Sequence, residues 1–214
     1  MDFTKSCERM VYDQLYKRGI TDQNILDVFI AVPRHIFIPP DEQSIAYEDY
    51  AVSIGDGQTI SQPYIAALMV KALTIEPGMK VLDVGCGSGY LAALLASLGA
   101  SVIGIEIIPS LAQRAQQVLD SLALDVKVVN GDGGLGLPDE APFDRIVISA
   151  AVDKVPDELF AQLAVGGILV APVGGFLHQY LTMYIKESAY EFKKQEICQC
   201  VFVPFTGKYA VKDG

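Results

Sequence analysis

The chain has no tryptophan, and only two histidines and four cysteines in 214 residues. His35 and His178 are too few and too isolated to form a metal site or to serve a catalytic triad. Cys7, Cys86, Cys198 and Cys200 lack paired metal spacing and read as reduced thiols, not as a disulfide framework. The Cys198-x-Cys200 pair is too tight for the usual zinc ligands and reads as strand alternation. No Gly-x-Ser-x-Gly string occurs, which removes the hydrolase elbow. Apolar runs are short and broken by charges or glycines, so no membrane span is expected. Basic residues are scarce as well: Lys+Arg total 16 against 26 for Asp+Glu, a net charge of -10. With no basic cluster, a nucleic-acid partner is disfavoured. An acidic protein still accommodates a cationic small molecule such as a sulfonium, although the same charge serves solubility. Residues 1–9 mix acidic and basic side chains with no apolar signal core behind them, so a cytoplasmic location is expected.

What is present is a chain 51% hydrophobic and 20% charged, enough for one sizeable core in one domain. Three stretches differ in pattern. Residues 1–75 read as a helical cap, with helices over 8–18, 24–32 and Pro63–Leu73. Pro63 suits a first helical position, and Ser61 just ahead of it is a candidate cap. Arg34, between Pro33 and Phe37, reads as a surface residue. Residues 76–175 alternate apolar strands (81–84, Ser101–Glu106, 126–129, Phe143–Ile148, 168–173) with helices near 91–98, 111–122 and 156–163. Strands separated by helices of this size predict βαβ units on a parallel sheet covered on both faces. Over 176–214 the pattern becomes two strands, 180–186 and 197–204, joined by a polar stretch, which predicts an antiparallel hairpin at the sheet edge.

Chemistry concentrates at the strand ends. Gly85-Cys86-Gly87-Ser88-Gly89 follows the first core strand and opens a helix, and its glycines permit a tight turn with close ligand approach. Glu106 ends the next strand, where a carboxylate accepts both hydroxyls of a ribose. A dinucleotide fingerprint needs a third glycine at the position of Tyr90, so a nicotinamide-dependent oxidoreductase is disfavoured. The Gly-x-Gly-x-Gly spacing instead resembles the turn of class I methyltransferases. Gly131-Asp132-Gly133 follows the third strand, and an acid there suits an adenine amino group.

A wider set of strings carries a closer resemblance. Asp56-Gly57-Gln58-Thr59-Ile60-Ser61-Gln62-Pro63, Arg34-His35-x-Phe37-Ile38-Pro39 and Phe202-Val203-Pro204-Phe205-Thr206-Gly207, with the turn and Gly131-Asp132-Gly133, resemble the protein-L-isoaspartate O-methyltransferase family over nearly the whole chain. The resemblance implies a class I methyltransferase, Rossmann-like mixed α/β sheet with helices on both faces and added elements at both ends. It implies S-adenosyl-L-methionine as cofactor and S-adenosyl-L-homocysteine as product. The implied substrates are damaged proteins and peptides bearing L-isoaspartyl residues, methylated on the free α-carboxylate by a cytoplasmic monomer with no metal. Carried onto this chain, the cofactor-side residues are Gln58, Thr59, Ile60, Ser61, Asp83, Gly85, Gly87, Ser88, Glu106, Ile107, Asp132, Gly133 and Thr206. Ser61 is the one assigned to catalysis. A carboxylate of solution pKa near ~4 is ionised at neutral pH, so Ser61 is expected to orient it, with no general base required.

Overall fold

The computed structural model describes residues 2–175 and 178–210. Strands β3 (Lys80–Val84), β4 (Ser101–Glu106), β5 (Val126–Asn130), β6 (Phe143–Ile148), β7 (Leu163–Gly175), β8 (His178–Lys186) and β9 (Phe192–Cys200) form one sheet ordered β5-β4-β3-β6-β7-β8-β9. The first five in chain order pair in parallel, and β8 and β9 continue the sheet antiparallel. Alternation along the strands builds two cores. Leu82, Val84, Ile103, Ile105, Ile146 and Ile148 pack on one face with Leu159 of helix α6 (Asp157–Gln162). Val81, Val102, Val147 and Val170 face the other side. There they meet α3 (Pro63–Leu73), α4 (Tyr90–Ser97), α5 (Pro109–Ser121) and the amino-terminal helices α1 (Phe3–Met10) and α2 (Gln23–Ala31). This is the mixed α/β sheet that the strand-helix alternation predicts.

The register decides where a site can form. Val84 lies opposite Ile105 of β4 and Ile148 of β6, so the carboxyl ends of three strands finish level. The chain runs outward from β3 to β4 and β5, then crosses back to β6 on the other side. Such a reversal leaves a crevice at the strand ends, where open α/β sheets bind ligands.

Several expectations are corrected. The segment before α3 is not all helical: β1 (Val52–Gly55) and β2 (Gln58–Ile60) form a separate hairpin. Asp56 and Gly57 at its tip both have positive φ (53° and 72°), as a tight Asp-Gly turn requires. The expected 8–18 helix begins earlier, at α1, where the Asp2 carboxylate accepts from Lys5 N. It then loosens to a π turn over Val11–Leu15 and tightens to 3-10 over Tyr16–Arg18 before Gly19 ends it at φ 90°. Ser61 does not cap α3; Gln62 occupies that place, without a side-chain bond. The second edge strand starts at Phe192, because an edge strand tolerates the solvent-facing Lys193, Lys194, Gln195 and Glu196 that read as a loop. It ends at Cys200, and residues 201–204 leave the sheet, with Pro204 bridging to Ala151.

Arg34 is no surface residue but fully buried. Its Nε donates to Ala46 O at 2.7 Å, and its guanidinium lies 5.1 Å from the Tyr90 ring centroid. Nη1, Nη2 and the Tyr90 hydroxyl find no protein partner. Burial pushes the guanidinium pKa down to about 10, opposed in part by Tyr90. At neutral pH it remains a cation, held by one carbonyl and an aromatic face. Truncation would leave a large void and strip Ala46 O of its donor. Arg34→Ala is therefore expected to lower unfolding free energy by about 3 kcal/mol or more in urea denaturation, and Arg34→Met, which refills the volume, by less.

Candidate active site

The glycine turn is pinned by one acceptor: the Ile105 carbonyl takes the N–H of both Gly85 (2.8 Å) and Cys86 (3.1 Å). Gly85, Gly87 and Gly89 have φ of 71°, 55° and 83°, a left-handed run that side chains resist. Gly104, beside Asp83 in register, leaves room for Cys86, since a Cβ there would lie 3.0 Å from the Cys86 sulfur. Glu106, buried at the end of β4, faces the turn. Its Oε2 accepts from Gly87 N and its Oε1 from Ile108 N, both at 2.9 Å. Each oxygen keeps a lone pair for a hydroxyl in the cleft. That cleft lies at the carboxyl ends of β3, β4 and β6. Of the residues that the resemblance puts on the cofactor side, Gln58, Thr59, Gly85, Gly87, Glu106, Ile107, Gly133 and Thr206 line it.

Five of the expected residues are not in the lining of the cleft: Ile60, Ser61 and Ser88 border a pocket beside it, and Asp132 and Asp83 border neither. Asp132 is not in its lining; its Oδ1 accepts from Gly134 N (2.9 Å) and its Oδ2 from Lys208 N (2.7 Å). It thereby ties the closing segment, residues 203–209, over the cleft that Val203, Pro204, Phe205 and Thr206 also line. Asp83 is fully buried beneath the turn. Its Oδ1 accepts from the Ser149 hydroxyl at 3.1 Å, and its Oδ2 has no partner. Burial pushes its pKa up to about 7, the Ser149 bond opposes this, and the Glu106 charge adds to it.

The segment around β2 is held from both sides. Hairpin residue Ile54 accepts at its carbonyl from Arg114, and Asp56 accepts from Ser110 Oγ at 2.9 Å, which ties the hairpin to α5. On the far side Asp49 accepts from Gln62 Nε2 (2.8 Å) and pairs with Arg18 (3.1 Å). Between these ties, a groove lined by Asp49, Tyr50, Thr59, Ser61, Ile65 and residues 199–203 opens to solvent. A smaller inner pocket takes in Ile60, Ser61, Ser88 and Tyr90. Cleft, inner pocket and groove share two residues, Thr59 and Ser149. Sequence reasoning missed Ser149. The usable signal was its place one residue beyond β6, next to β3, at a strand end. Among the described residues no cluster of His, Cys, Asp and Glu could hold a metal, and no helix is long and apolar enough to cross a membrane.

A glycine turn at the end of β3, an acid at the end of β4 and a cleft at the reversal of a parallel sheet define a class I S-adenosyl-L-methionine-dependent methyltransferase. The family model for protein-L-isoaspartate(D-aspartate) O-methyltransferase matches residues 6–210, and the chain belongs to that family. A protein-L-isoaspartate O-methyltransferase of Roseiflexus castenholzii is 47% identical over 211 residues, covering 98% of this chain and 96% of that protein. One from Gloeobacter violaceus is 45% identical, covering 92% and 97%. A solved protein-L-isoaspartate O-methyltransferase superposes with TM-score 0.86 at 29% identity, over 94% of this chain and 66% of that one. Another structure, described as this enzyme from Plasmodium falciparum in complex with S-adenosyl-L-homocysteine, gives TM-score 0.81 at 26% identity, over 94% and 98%.

The buried Asp83 has a measurable consequence. Its folded pKa, about 7, lies above the ordinary carboxylate value, so the folded state keeps a proton that the unfolded chain has lost. The associated stability is full below about pH 4 and is lost as pH rises towards 7. Relative to Asp83→Asn, the ligand-free protein is expected to lose on the order of 2 kcal/mol of unfolding free energy between pH 5 and 8. Parallel denaturation curves for the two proteins would place Asp83 in a wetter setting.

Proposed function

We propose that this chain acts as a cytoplasmic, monomeric repair enzyme that methylates the free α-carboxylate of L-isoaspartyl residues in damaged proteins, with the site residues dividing the work as follows. The observation that carries the reading is the junction at Thr59 and Ser149, where the cleft beside Glu106 meets the groove beside Ser61. A small cofactor in the cleft and a segment of polypeptide in the groove can approach each other there.

The residues fit S-adenosyl-L-methionine. Glu106 offers two lone pairs to ribose hydroxyls, and the turn from Gly85 to Gly89 brings backbone close to the ligand. Asp83 offers an unpaired buried oxygen on a carboxylate that a nearby cation would hold ionised. Gly133, Ile107 and Thr206 bound the adenine end, and Asp132 acts there through the closing segment that it holds. The cofactor, when bound, supplies an electrophilic methyl group on a sulfonium. Along β2, Gln58 borders the cleft, Ile60 the inner pocket, and Thr59 between them borders both and the groove.

The rest follows from charge. The acceptor carboxylate is ionised at neutral pH, so the site needs no base. A negative nucleophile meets a positive electrophile, and charge vanishes as the bond forms, so alignment and exclusion of water matter most. Ser61, which lines both groove and inner pocket, is placed to donate a hydrogen bond that orients the carboxylate. Its hydroxyl is not committed to capping α3. The ester formed recloses to a succinimide, and repeated cycles return normal aspartate.

Methyl transfer from tritiated S-adenosyl-L-methionine to paired peptides differing only in L-isoaspartate or aspartate is expected to label the first alone; equal labelling would refute the assignment. Ser61→Ala is expected to cut kcat/KM for the isoaspartyl peptide about tenfold or more, the worth of a hydrogen bond to a charged group, with cofactor affinity within a few-fold. Unchanged turnover would leave Ser61 with no part in orienting the acceptor.

A further inference from the structure

Ser149 follows β6 directly, and its N–H extends the parallel ladder by donating to Val84 O at 2.8 Å. That bond fixes its backbone level with Gly85, at the mouth of the crevice. Its side chain is half-buried and borders the cleft, the inner pocket and the groove together. The other residue shared by all three, Thr59, is exposed and makes no side-chain hydrogen bond to the protein among those found in the structure. Ser149 differs, because its hydroxyl is tied to a buried carboxylate at 3.1 Å.

The tie has a direction whenever Asp83 is ionised. A serine hydroxyl carries one hydrogen and two lone pairs, and a carboxylate can only accept. Ser149 then spends its hydrogen on Asp83 Oδ1 and turns its lone pairs to the junction. The charged or thiol groups facing Asp83 are Glu106 and Cys86. Burial raises the Cys86 thiol well above its usual range, so it stays neutral. A cofactor cation would place a positive charge beside this pair of acids, and its arrival favours the ionised Asp83 on which the orientation depends.

An oxygen presenting lone pairs at the junction repels one reactant and attracts the other. The acceptor carboxylate is anionic and gains nothing from it. A methyl group on a sulfonium carries polarised hydrogens, and such C–H groups make weak but real bonds to oxygen acceptors. We propose that Ser149 Oγ, oriented by Asp83, accepts from the sulfonium methyl of the cofactor and aims it into the acceptor groove. Ser61 and Ser149 thus divide the junction: one donates to the acceptor carboxylate, the other accepts from the transferring methyl. Asp83 is the positioning residue that sets which way Ser149 faces. This deepens the methyltransferase reading and rests on it.

The assignment separates cofactor from product. S-adenosyl-L-homocysteine has neither the methyl nor the positive sulfur, so Ser149 should favour the cofactor over the product in binding alone. The test is calorimetric titration of wild type, Ser149→Ala and Ser149→Thr with each compound, without peptide. Ser149→Ala is expected to weaken S-adenosyl-L-methionine about three- to tenfold while S-adenosyl-L-homocysteine stays within about twofold. Ser149→Thr, which keeps the hydroxyl, should hold the wild-type ratio. An unchanged ratio in Ser149→Ala overturns the proposal, whether both affinities fall together or neither changes. A ratio lost equally in Ser149→Thr overturns it too, because the effect would not belong to the hydroxyl. Because no peptide enters this measurement, failure of isoaspartyl methylation and failure of the Ser149 assignment give different results.

Discussion

The carbonyl oxygen of Ile105 accepts from two successive N–H groups, Gly85 and Cys86, and the site is built outward from that contact. It bends the chain sharply at the end of β3 and sends it into α4. The bend is possible only because the flanking positions are glycines at positive φ, and because Gly104 lets Cys86 settle against β4. With the turn fixed, Gly87 N points at Glu106, and the acid receives a backbone donor while keeping lone pairs for a ligand. Parallel register extends the same logic to β6, since Val84 O accepts from Ser149 N. Three strand ends therefore present an acid, a turn and a hydroxyl at one level. None of these groups needs a flexible loop to hold it.

Charge buried near that turn is tolerated unevenly. Arg34 keeps one carbonyl and the Tyr90 ring, and Tyr90 is the first residue of α4, directly after the turn. The cation thus packs against the element that carries the cofactor loop, from the amino-terminal side. Asp83 is the reverse case, a carboxyl held by one hydroxyl with its other oxygen unpaired. An isolated buried carboxylate is costly, and a pKa near 7 is how this one lowers the cost when no ligand is present. Buried beneath the turn and poorly satisfied alone, it is a carboxyl whose ionised form a nearby cation would favour.

Much of this was legible in the sequence, for reasons that differ by element. Ser101–Glu106 and Phe143–Ile148 occur at the bounds their apolar runs suggest, because both strands are interior and buried on two faces. The hairpin β1-β2 escaped notice since its strands are only 4 and 3 residues long, although Asp56-Gly57 is a recognised turn signal. β9 hid for the opposite reason: at a sheet edge the pattern can be polar. Glu106 and the glycine turn were readable because spacing alone specifies their chemistry. Arg34 and Ser149 were not, since the meaning of each depends on a partner far along the chain, Tyr90 in one case and Asp83 in the other.

Closure of the cleft shows which interactions matter when several compete. The closing segment carries one visible ion pair, Lys208 with Glu158, and the Tyr209 hydroxyl donates to the same carboxylate. The ion pair is solvent-screened, and pairs of this kind contribute little. Stronger holds lie a few residues earlier. Phe205 is buried against Ile105 and its neighbours in the second core, and burying such a ring is worth about 1.5–3 kcal/mol. Ala151 N donates to Val203 O and Phe205 N donates to Ala151 O, both at 2.8 Å, so the segment is stitched to the end of β6 as though it were a further strand. The closing segment is therefore held over the cleft by an apolar anchor and backbone bonds next to Ser149, while the polar latch at Glu158 adds little at the far end. That arrangement narrows the cleft at the end of β6 and leaves the groove beyond Thr59 open to solvent.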